Sequence, residues 1–377
     1  MRGSTTRQVT FLSVTTDQLV AAEHPIRRVK PFVEAALAEL SPVFDQMYAQ
    51  EGRPSIPPEH LLKACLLIAF YSIRSERQFC ERLQHDLLFK WFMDLNIEDP
   101  AFDQSTFAKN RDRLLKHDVS RLFFEAVLNQ ARQLHLLSNQ HFTVDGTLLE
   151  SWASLKSLKP RRPNLGGQRK PKRDSRRPPP GKGGGRNVEV DFHGQKRSND
   201  THVSSTDGEA RLARKGKGRE AKLNFAGHLL MENRNGLAVD VLLTQATGTA
   251  EREAGLKMLH GLRRRHRKGR LTLGADKNYD TGDFVAGCRA LEVTPHVAQN
   301  INPQRGSRVD GRTVTHLGYA TSQRIRKRVE EIFGWLKVVG GGRKLRYIGV
   351  QRNQLWADLA TAAYNLVRLG NLVAEAA

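Results

Sequence analysis

Cysteines and long apolar runs are scarce in this sequence, and each scarcity excludes a class of protein. The chain of 377 residues has 3 cysteines, and none of them belongs to a CxxC pair. An odd, scattered set argues against a disulfide scaffold or a zinc ribbon and favours a reducing compartment. The longest apolar run, Leu61 to Tyr71, is about half the length that a bilayer-spanning helix needs, and it contains Lys63. We therefore expect no membrane partner.

Acidic residues are outnumbered by basic ones, which indicates a polyanionic partner. Asp and Glu number 39 against 61 Lys and Arg, for a formal net charge of +22. Each neutralised phosphate of a nucleic acid releases condensed counterions and adds salt-sensitive affinity. RNA-binding proteins share this signature, so the charge alone does not choose between RNA and DNA. Residues 1–18 have no continuous apolar core, so we expect no secretory signal and a cytoplasmic location.

Residues 1–135 are predicted to form a helical, DNA-binding domain. Pro57-Pro58-Glu59 fits the start of a helix, because proline is tolerated in the first turn. Further helices are predicted at Glu76–Gln84, Leu87–Asp94, Ser105–Lys116 and Ser120–Leu136. The third of these presents Lys109, Arg111 and Arg113, as a DNA-reading helix of the helix-turn-helix kind would. A helical bundle with a solvated basic face explains the pattern equally well, and both interpretations stay open.

The pattern changes to alternating strands and helices after residue 140. A strand is predicted at His141–Gly146, followed over 155–221 by a basic segment with Pro178-Pro179-Pro180 and Gly183-Gly184-Gly185. This segment has too little apolar surface to fold alone, so we predict a largely disordered basic insertion. Later strands are predicted at Leu223–Met231, Leu237–Thr244, Leu271–Ala275 and Val293–Val297, and helices at Ala250–His266, Gly282–Ala290, Ser322–Lys337 and Gln354–Leu372.

This order predicts an α/β, ribonuclease-H-like domain, a mixed sheet flanked by helices, formed by residues 140–154 and 222–377. Asn235-Gly236 suits the tight turn of the hairpin between the second and third strands. In the first turn of the helix from Ala250, Glu251 and Glu253 match the helix dipole. Asp280 is expected to cap the helix that begins near Gly282.

Asp145 and Asp276 follow or lie within predicted strands and are candidate metal ligands. Phosphoryl transfer to or from DNA usually needs carboxylates that hold two divalent ions about 4 Å apart, and Mg²⁺ prefers oxygen ligands. Asp145 lies in an apolar strand, where an unpaired carboxylate is costly. A strand-end cap or a partner for a buried arginine explains Asp145 as well. Acids often follow strands as turn residues, and Asp280 and Asp283 compete with Asp276.

Glu330 is the third candidate and lies in the helix predicted at Ser322–Lys337. At about 100° per residue, the apolar residues of this helix form one stripe that includes Val329. Glu331 points away from the stripe, whereas Glu330 lies on its shoulder, aligned with Arg326 and Lys337. The alternative is a surface pair between Arg326 and Glu330, worth a few tenths of a kcal/mol.

Three stretches together resemble the DDE transposases of bacterial insertion sequences, specifically the IS-five group. They are Phe142-Thr143-Val144-Asp145-Gly146-Thr147, Leu273-Gly274-Ala275-Asp276-Lys277-Asn278-Tyr279-Asp280, and the stretch from Arg324 to Lys337. The family's third block has the form Tyr-x₂-Arg-x₃-Glu-x₆-Lys. Arg326, Glu330 and Lys337 match its last three positions, and Gln323 stands where the family usually has Tyr.

The resemblance implies a transposase that binds the inverted terminal repeats of an insertion sequence and catalyses DNA strand cleavage and strand transfer. It implies two Mg²⁺ ions, or Mn²⁺, at Asp145, Asp276 and Glu330, with Arg326 and Lys337 near the scissile phosphate. The implied partners are double-stranded DNA, as transposon ends and target, and a second copy of the chain in a homodimer on DNA. A small-molecule substrate is not expected, and the location is cytoplasmic and nucleoid-associated. The alternatives are a non-catalytic DNA-binding regulator and a ribonuclease-H-like nuclease that cuts without joining.

Overall fold

The computed structural model describes residues 14–48, 55–161, 197–216, 218–266, 268–301 and 306–376, together with residues 51 and 304. Its first part is helical, as predicted. The helices are α1 (Thr16–Leu19), α2 (Ile26–Met47), α3 (Pro58–Phe70), α4 (Glu76–Leu83), α5 (Leu87–Phe92), α6 (Gln104–Lys116) and α7 (Val119–Gln133). In the described part of the chain, no helix is long and apolar enough to cross a lipid bilayer.

Helix α2 is the main element that the sequence analysis missed. It contains Pro31 and Pro42, and each proline removes one backbone hydrogen bond from a helix interior. Its buried residues nevertheless recur every three to four positions, the spacing of one helix face; they are Ile26, Val29, Val33, Ala36, Leu37, Leu40, Phe44 and Met47. Packing of this stripe against α7 and α13 (Val350–Ala376) holds the helix in place.

The central sheet confirms the ribonuclease-H-like fold. Its five main strands are β1 (His141–Glu150), β5 (Lys222–Glu232), β6 (Ala238–Gln245), β7 (Leu271–Ala275) and β8 (Val293–Val297). They lie in the order β6-β5-β1-β7-β8. β1 and β6 pair with β5 in the antiparallel sense, whereas β1 and β8 pair with β7 in the parallel sense. When the five strands are numbered by their order along the chain, their order across the sheet is 3-2-1-4-5, which is the ribonuclease-H arrangement.

Part of the predicted insertion is ordered. β2 (Leu158–Pro160) and β3 (His202–Ser204) form a separate two-stranded sheet, and β4 (Arg211–Ala213) pairs with the start of β5. The central domain therefore extends further into the predicted insertion than the composition indicated. Residues 162–196, which hold the proline and glycine runs, lie outside the described residues.

The hairpin between β5 and β6 is built around a buried carboxylate. Gly236 has a φ of +74°, as the predicted Asn-Gly turn requires. The Glu232 side chain is fully buried and accepts hydrogen bonds from the backbone N–H groups of Asn235 at 2.7 Å, Leu237 at 3.0 Å and Ser138 at 3.1 Å. These bonds offset the cost of burying the charge and tie the hairpin to the segment that precedes β1.

Helices cover both faces of the sheet. They are α8 (Ala250–Arg265), α9 (Gly282–Ala290), α10 (Gly311–Thr315), α11 (Leu317–Ile325), α12 (Val329–Val338) and α13. Residues of α8 and α9 share one buried cluster with Val144 and Leu230. Residues of α12 and α13 share another with Leu229 and Met231, which point to the opposite face.

Candidate active site

Asp145 lies on the face of β1 that α12 covers. It pairs with Leu229 of β5, and residues directly opposite in an antiparallel pair lie on the same face. Leu229 belongs to the same buried cluster as Val329 and Ile332 of α12. The Asp145 carboxylate accepts a hydrogen bond from the backbone N–H of Gly146 at 2.8 Å. The strand and its pairing therefore fix the position of this acid.

Asp276 reaches the same place from the neighbouring strand. The parallel pairing of β1 with β7 ends where Thr143 lies opposite Gly274. Asp145 comes two residues after Thr143, and Asp276 comes two residues after Gly274. Side chains two positions apart along a strand share a face. The Asp276 carboxylate accepts a hydrogen bond from the backbone N–H of Asn278 at 2.8 Å. The two acids meet where β1 continues beyond the end of β7.

Asp280, the nearby competitor of Asp276, has a structural role. Its buried carboxylate accepts hydrogen bonds from the backbone N–H groups of Asn300 at 2.7 Å and Arg308 at 2.8 Å. Helix α9 has Thr281 as its N-cap instead, so the expectation that Asp280 caps this helix is wrong. Asp280 holds the loop after β8, which leaves Asp276 as the acid that faces Asp145.

The electrostatics of Asp145 show that it lies among other acids. Burial raises the pKa of its carboxyl from 3.8 to about 7, and the negative charges of Asp276 and Glu251 act in the same direction. The bond from Gly146 and the positive charge of Arg326 oppose this rise. Burial and the neighbouring acids thus disfavour the charged form of Asp145, and a bound cation would stabilise that form strongly.

Glu251, which the sequence analysis assigned to the helix dipole, is the third acid that the structure brings to this place. It lies in the first turn of α8, and its side chain packs directly on Gly146. A Cβ atom added to Gly146 would lie 2.9 Å from both Cγ and Oε1 of Glu251. Burial raises the pKa of Glu251, and the negative charge of Asp276 raises it further. Three carboxylates therefore influence one another at this edge of the sheet.

A buried hydroxyl without a partner lies beside these acids. The ring of Tyr279 packs against Phe284 with the centroids 4.9 Å apart, and the residue is fully buried. Its hydroxyl has no hydrogen-bond partner in the described residues. Burial raises the pKa of Tyr279, and the charges of Glu251, Asp145 and Asp276 add to the rise. A buried polar atom of this kind indicates a site for water or a bound ion.

Glu330 lies on α12, which the structure separates from α11. The predicted continuous helix is wrong at one point, because residues Arg326–Arg328 form a turn of 3-10 helix between the two. Glu330 is exposed, and its carboxylate makes no hydrogen bond or ion pair within the described residues. The structure thus brings Asp145 and Asp276 together and places Glu330 on the helix beside them without a hydrogen bond to either.

Arg326 and Lys337 lie before and after Glu330 on the same face of the sheet. The Cβ atom of Arg326 lies 3.5 Å from a Cβ built on Gly274. The Lys337 Nζ atom donates to the Thr147 hydroxyl at 2.5 Å. Because Gly274 and Thr147 flank the position of Asp145, the segment from Arg326 to Lys337 passes Asp145, with Glu330 between the two basic residues.

Gln323, the departure from the family's third block, holds Arg326 in place. The Arg326 Nε atom donates to the Gln323 side-chain oxygen at 2.9 Å, and the Gln323 amide donates to the backbone carbonyl of His296 at 2.5 Å. The surface pair between Arg326 and Glu330 that the helical phase allowed does not form in the described residues. The positive charge of Arg326 instead lowers the pKa of Asp145.

The three basic residues of α6 differ in their surroundings. Lys109 is exposed. Arg111 is partly buried, forms an ion pair with Glu76, and has its guanidinium carbon 4.4 Å from the ring centroid of Tyr347. Arg113 is also partly buried, with its guanidinium 4.6 Å over a tyrosine ring. Of the three residues predicted to contact DNA, only Lys109 is exposed; their role stays a prediction.

The donor atoms at the site fit a hard divalent cation. Asp145 and Asp276 offer carboxylate oxygens, and the partnerless Tyr279 hydroxyl adds a polar atom beside them. In the described ranges, no three or more His, Cys, Asp or Glu side chains gather closely enough to hold a metal ion. Two carboxylates are enough for Mg²⁺, which keeps several waters and also binds substrate phosphates.

Two family models match the chain in sequence. One, described as "Transposase domain (DUF772)", matches residues 14–113, and the other, "Transposase DDE domain", matches residues 189–366. Asp276 and Glu330 lie within the second match, and Asp145 lies between the two. No curated protein matches the chain.

Solved structures of transposases are similar to this chain at low identity. One is a cryo-EM structure of the piggyBac transposase synaptic complex with hairpin DNA, with 10% identity, a TM-score of 0.41, and coverage of 96% of this chain and 78% of that one. Another is the Mos1 transposase paired-end complex with the left transposon end, with 9% identity, a TM-score of 0.22, and coverage of 85% and 80%. The two family matches together span most of the chain, which belongs to the DDE transposases of the insertion-sequence type, enzymes that cut DNA and transfer DNA strands.

Proposed function

We propose that this transposase belongs to the IS-five group, and that it binds the inverted terminal repeats of an insertion sequence and cuts and joins DNA there with Asp145, Asp276 and Glu330. The convergence of Asp145 and Asp276 at the end of β7 is the observation that carries the proposal. The passage of α12 along the same face of the sheet supports the assignment of Glu330.

Enzymes of this family use divalent metal ions, and we propose Mg²⁺, with Mn²⁺ as a substitute, in a two-ion site. Asp145 and Asp276 would hold the ions, with Glu330 completing the ligands when DNA is bound. The ions would activate the attacking oxygen and stabilise the leaving oxygen. The carboxylates act as ligands, so no covalent bond forms between the protein and DNA.

The proposed DNA contacts come from both parts of the chain. Arg326 and Lys337 flank the acids and are positioned to bind phosphates next to the scissile bond. Lys109 and Arg113 of α6 would contact the terminal repeat, within a DNA-binding domain that spans residues 1–135. Arg111 is engaged by Glu76, so we propose that it supports α6 from inside the fold.

The assembly that we propose is a homodimer on double-stranded DNA, because each element has two ends to be brought together. The partners are the transposon ends and a target duplex, with no small-molecule substrate. We propose a cytoplasmic, nucleoid-associated location for this complex. The net charge of +22 supports binding to long polyanions.

Cleavage and joining of labelled element ends in Mg²⁺ test the proposal. Glu330→Gln should lower cleavage by about 100-fold or more, because even partners outside the ligand shell cost up to that much. Glu331→Gln removes the same charge from the next residue of α12 and should keep wild-type activity. Equal activity of Glu330→Gln and wild type would remove Glu330 from the site. Binding without nicking by the wild type would indicate a regulator, and cutting without joining would indicate a nuclease.

A further inference from the structure

A fourth acid, Glu251, lies near the proposed metal site, although it comes from the opposite side of the sheet. Glu251 belongs to α8, which covers the face that carries Val144 and Gly146. Its side chain lies against Gly146, the residue after Asp145, and β7 leaves the edge of β1 unpaired beyond Thr143. Gly146 makes this approach possible, because any larger residue there would occupy the space of the Glu251 side chain.

Glu251 differs from an ordinary acid in the first turn of a helix. Glu253, in the same turn, is exposed and satisfies the helix dipole equally well. Glu251 is partly buried, and desolvation and the nearby charge of Asp276 disfavour a negative charge there, although the positive charge of Arg252 acts in the opposite direction. Within the described residues it forms no salt bridge that would offset this cost. A cation bound nearby would offset the cost of a negative charge on Glu251.

Tyr279 provides a second, independent indication of a ligand. Its buried hydroxyl lacks a partner in the described residues and lies beside Glu251, Asp145 and Asp276. None of these carboxylates is close enough to accept its proton directly. Ordered waters that bridge the hydroxyl to the carboxylates would satisfy all four groups.

We infer that Glu251 is a positioning residue of the metal centre, whose carboxylate accepts hydrogen bonds from the waters of a divalent ion held by Asp145 and Asp276. Tyr279 donates its hydroxyl proton to the same waters. This role suits the spacing, since in the described part of the chain three acids do not converge closely enough for direct binding. Mg²⁺ keeps several of its waters in proteins, and outer partners of this kind orient them. The inference rests on the proposed function of Asp145 and Asp276.

The test measures binding of Mn²⁺ alone to the purified full chain, without DNA, by electron paramagnetic resonance. Glu251→Gln should weaken Mn²⁺ affinity by about 10-fold, the lower end of the range for residues that orient metal ligands. Glu253→Gln, the matched control in the same helical turn, should bind Mn²⁺ as the wild type does. Glu251→Asp keeps the carboxylate and should recover part of the loss.

Two further variants keep the outcome decisive. Asp276→Asn should weaken Mn²⁺ binding most; if it does and Glu251→Gln binds normally, Glu251 has no role and the proposed site stands. If neither Asp276→Asn nor Asp145→Asn alters Mn²⁺ binding, or the wild type binds none, the metal site and the role of Glu251 both fail. Tyr279→Phe keeps the ring packed on Phe284 and should weaken Mn²⁺ affinity several-fold; unchanged affinity would remove Tyr279 from the inference.

Melting temperatures with and without Mn²⁺ distinguish the proposed role of Glu251 from a purely structural one. Removing one of three mutually repelling carboxylates should leave the melting temperature without metal equal to or above that of the wild type. The rise in melting temperature on adding Mn²⁺ should be smaller in Glu251→Gln, because that rise follows the affinity for the ion. A lower melting temperature without metal, with an unchanged Mn²⁺ increment, would indicate a purely structural residue and overturn the inference.

Discussion

Burial and the neighbouring acids raise the pKa of Asp145 from 3.8 to about 7. At pH values between these two pKa values, Asp145 holds a proton in the folded protein that it has released in the unfolded chain. The free energy of unfolding therefore falls as the pH rises from about 4 to about 7, and above that window the full penalty of the buried charge remains. In the absence of metal, Asp145 destabilises the fold at neutral pH.

Asp145→Asn should consequently stabilise the metal-free protein in a pH-dependent way. At pH 8 in the presence of EDTA the gain should be on the order of a few kcal/mol, at about 1.4 kcal/mol per unit of pKa shift. At pH 5 the gain should shrink, because wild-type Asp145 is then protonated. Urea unfolding at the two pH values measures this, with Asp283→Asn at an exposed position of α9 as control. An equal effect at both pH values would contradict the assigned cause.

Glu232 illustrates the opposite case, a buried carboxylate whose partners are all in place. It accepts backbone hydrogen bonds from Asn235, Leu237 and Ser138 and is fully buried. Glu232→Ala should lower the free energy of unfolding by at least about 3 kcal/mol, since each buried N–H left without a partner costs about 1–3 kcal/mol. Glu232→Gln retains an accepting oxygen and should cost less. Chemical denaturation of both variants is the measurement, and a loss below about 0.5 kcal/mol in the alanine variant would be inconsistent with this structure.

At the scale of the element, we propose that helix α6 carries both a residue that contacts DNA, Lys109, and a residue that supports the fold, Arg111. Lys109→Ala should weaken DNA binding and reduce the slope of log K against log salt by about 0.9, one phosphate contact. Arg111→Ala should instead lower the melting temperature, because Glu76 loses its ion-pair partner. Salt titrations of DNA affinity and thermal melts of both variants test this division. Loss of DNA affinity without loss of stability in Arg111→Ala would reverse it.

Several elements were predictable from the sequence because their local signals agree with their surroundings. The strands β7 and β8 and the helix α9 have the bounds that their apolar runs and flanking residues indicated. Helix α2 was missed because Pro31 and Pro42 argue locally against a helix, whereas the packing of its apolar stripe decides in its favour. The break between α11 and α12 contains no glycine or proline, so the sequence did not predict it.

The candidate site was predictable only in part, for a related reason. Asp145 lies within β1 and Asp276 directly follows β7, and the parallel pairing of these two neighbouring strands brings the two acids to the same place. The sequence did not indicate a role for Glu251 in the site. An acid in the first turn of a helix is explained by the helix dipole, regardless of where the helix packs. Gly146 was the available clue, since a glycine inside a strand often marks the close approach of another group. The assignment of Glu330 stays a prediction.

At the scale of the whole molecule, Arg121 joins the helical region to the sheet. Its guanidinium lies 2.8 Å from the carboxylate of Asp240 in β6 and 3.7 Å from that of Asp358 in α13. Burial raises the pKa of Asp358 to about 6, although the charge of Arg121 opposes the rise. Within the described residues, both acids form their ion pair with this arginine.

Arg121→Leu should cost about 3–5 kcal/mol of unfolding free energy, the typical result of leaving buried charges without a partner. Arg77 offers the matched control, because its ion pair with Glu81 is exposed, with 73% and 63% of the side chains accessible. Arg77→Leu should cost less than about 1 kcal/mol. Denaturant unfolding of the two variants makes the comparison, and similar losses would show that the buried network adds nothing.

The last helix, α13, packs against α7 and α2 on one side and against β6 on the other. It is also the final described element of the chain, ending at Ala376. During synthesis on the ribosome, both the helical region and the sheet therefore keep an uncovered apolar surface until α13 has been made. A chain that terminates before α13 would lack the cover of both regions and would be a substrate for proteases.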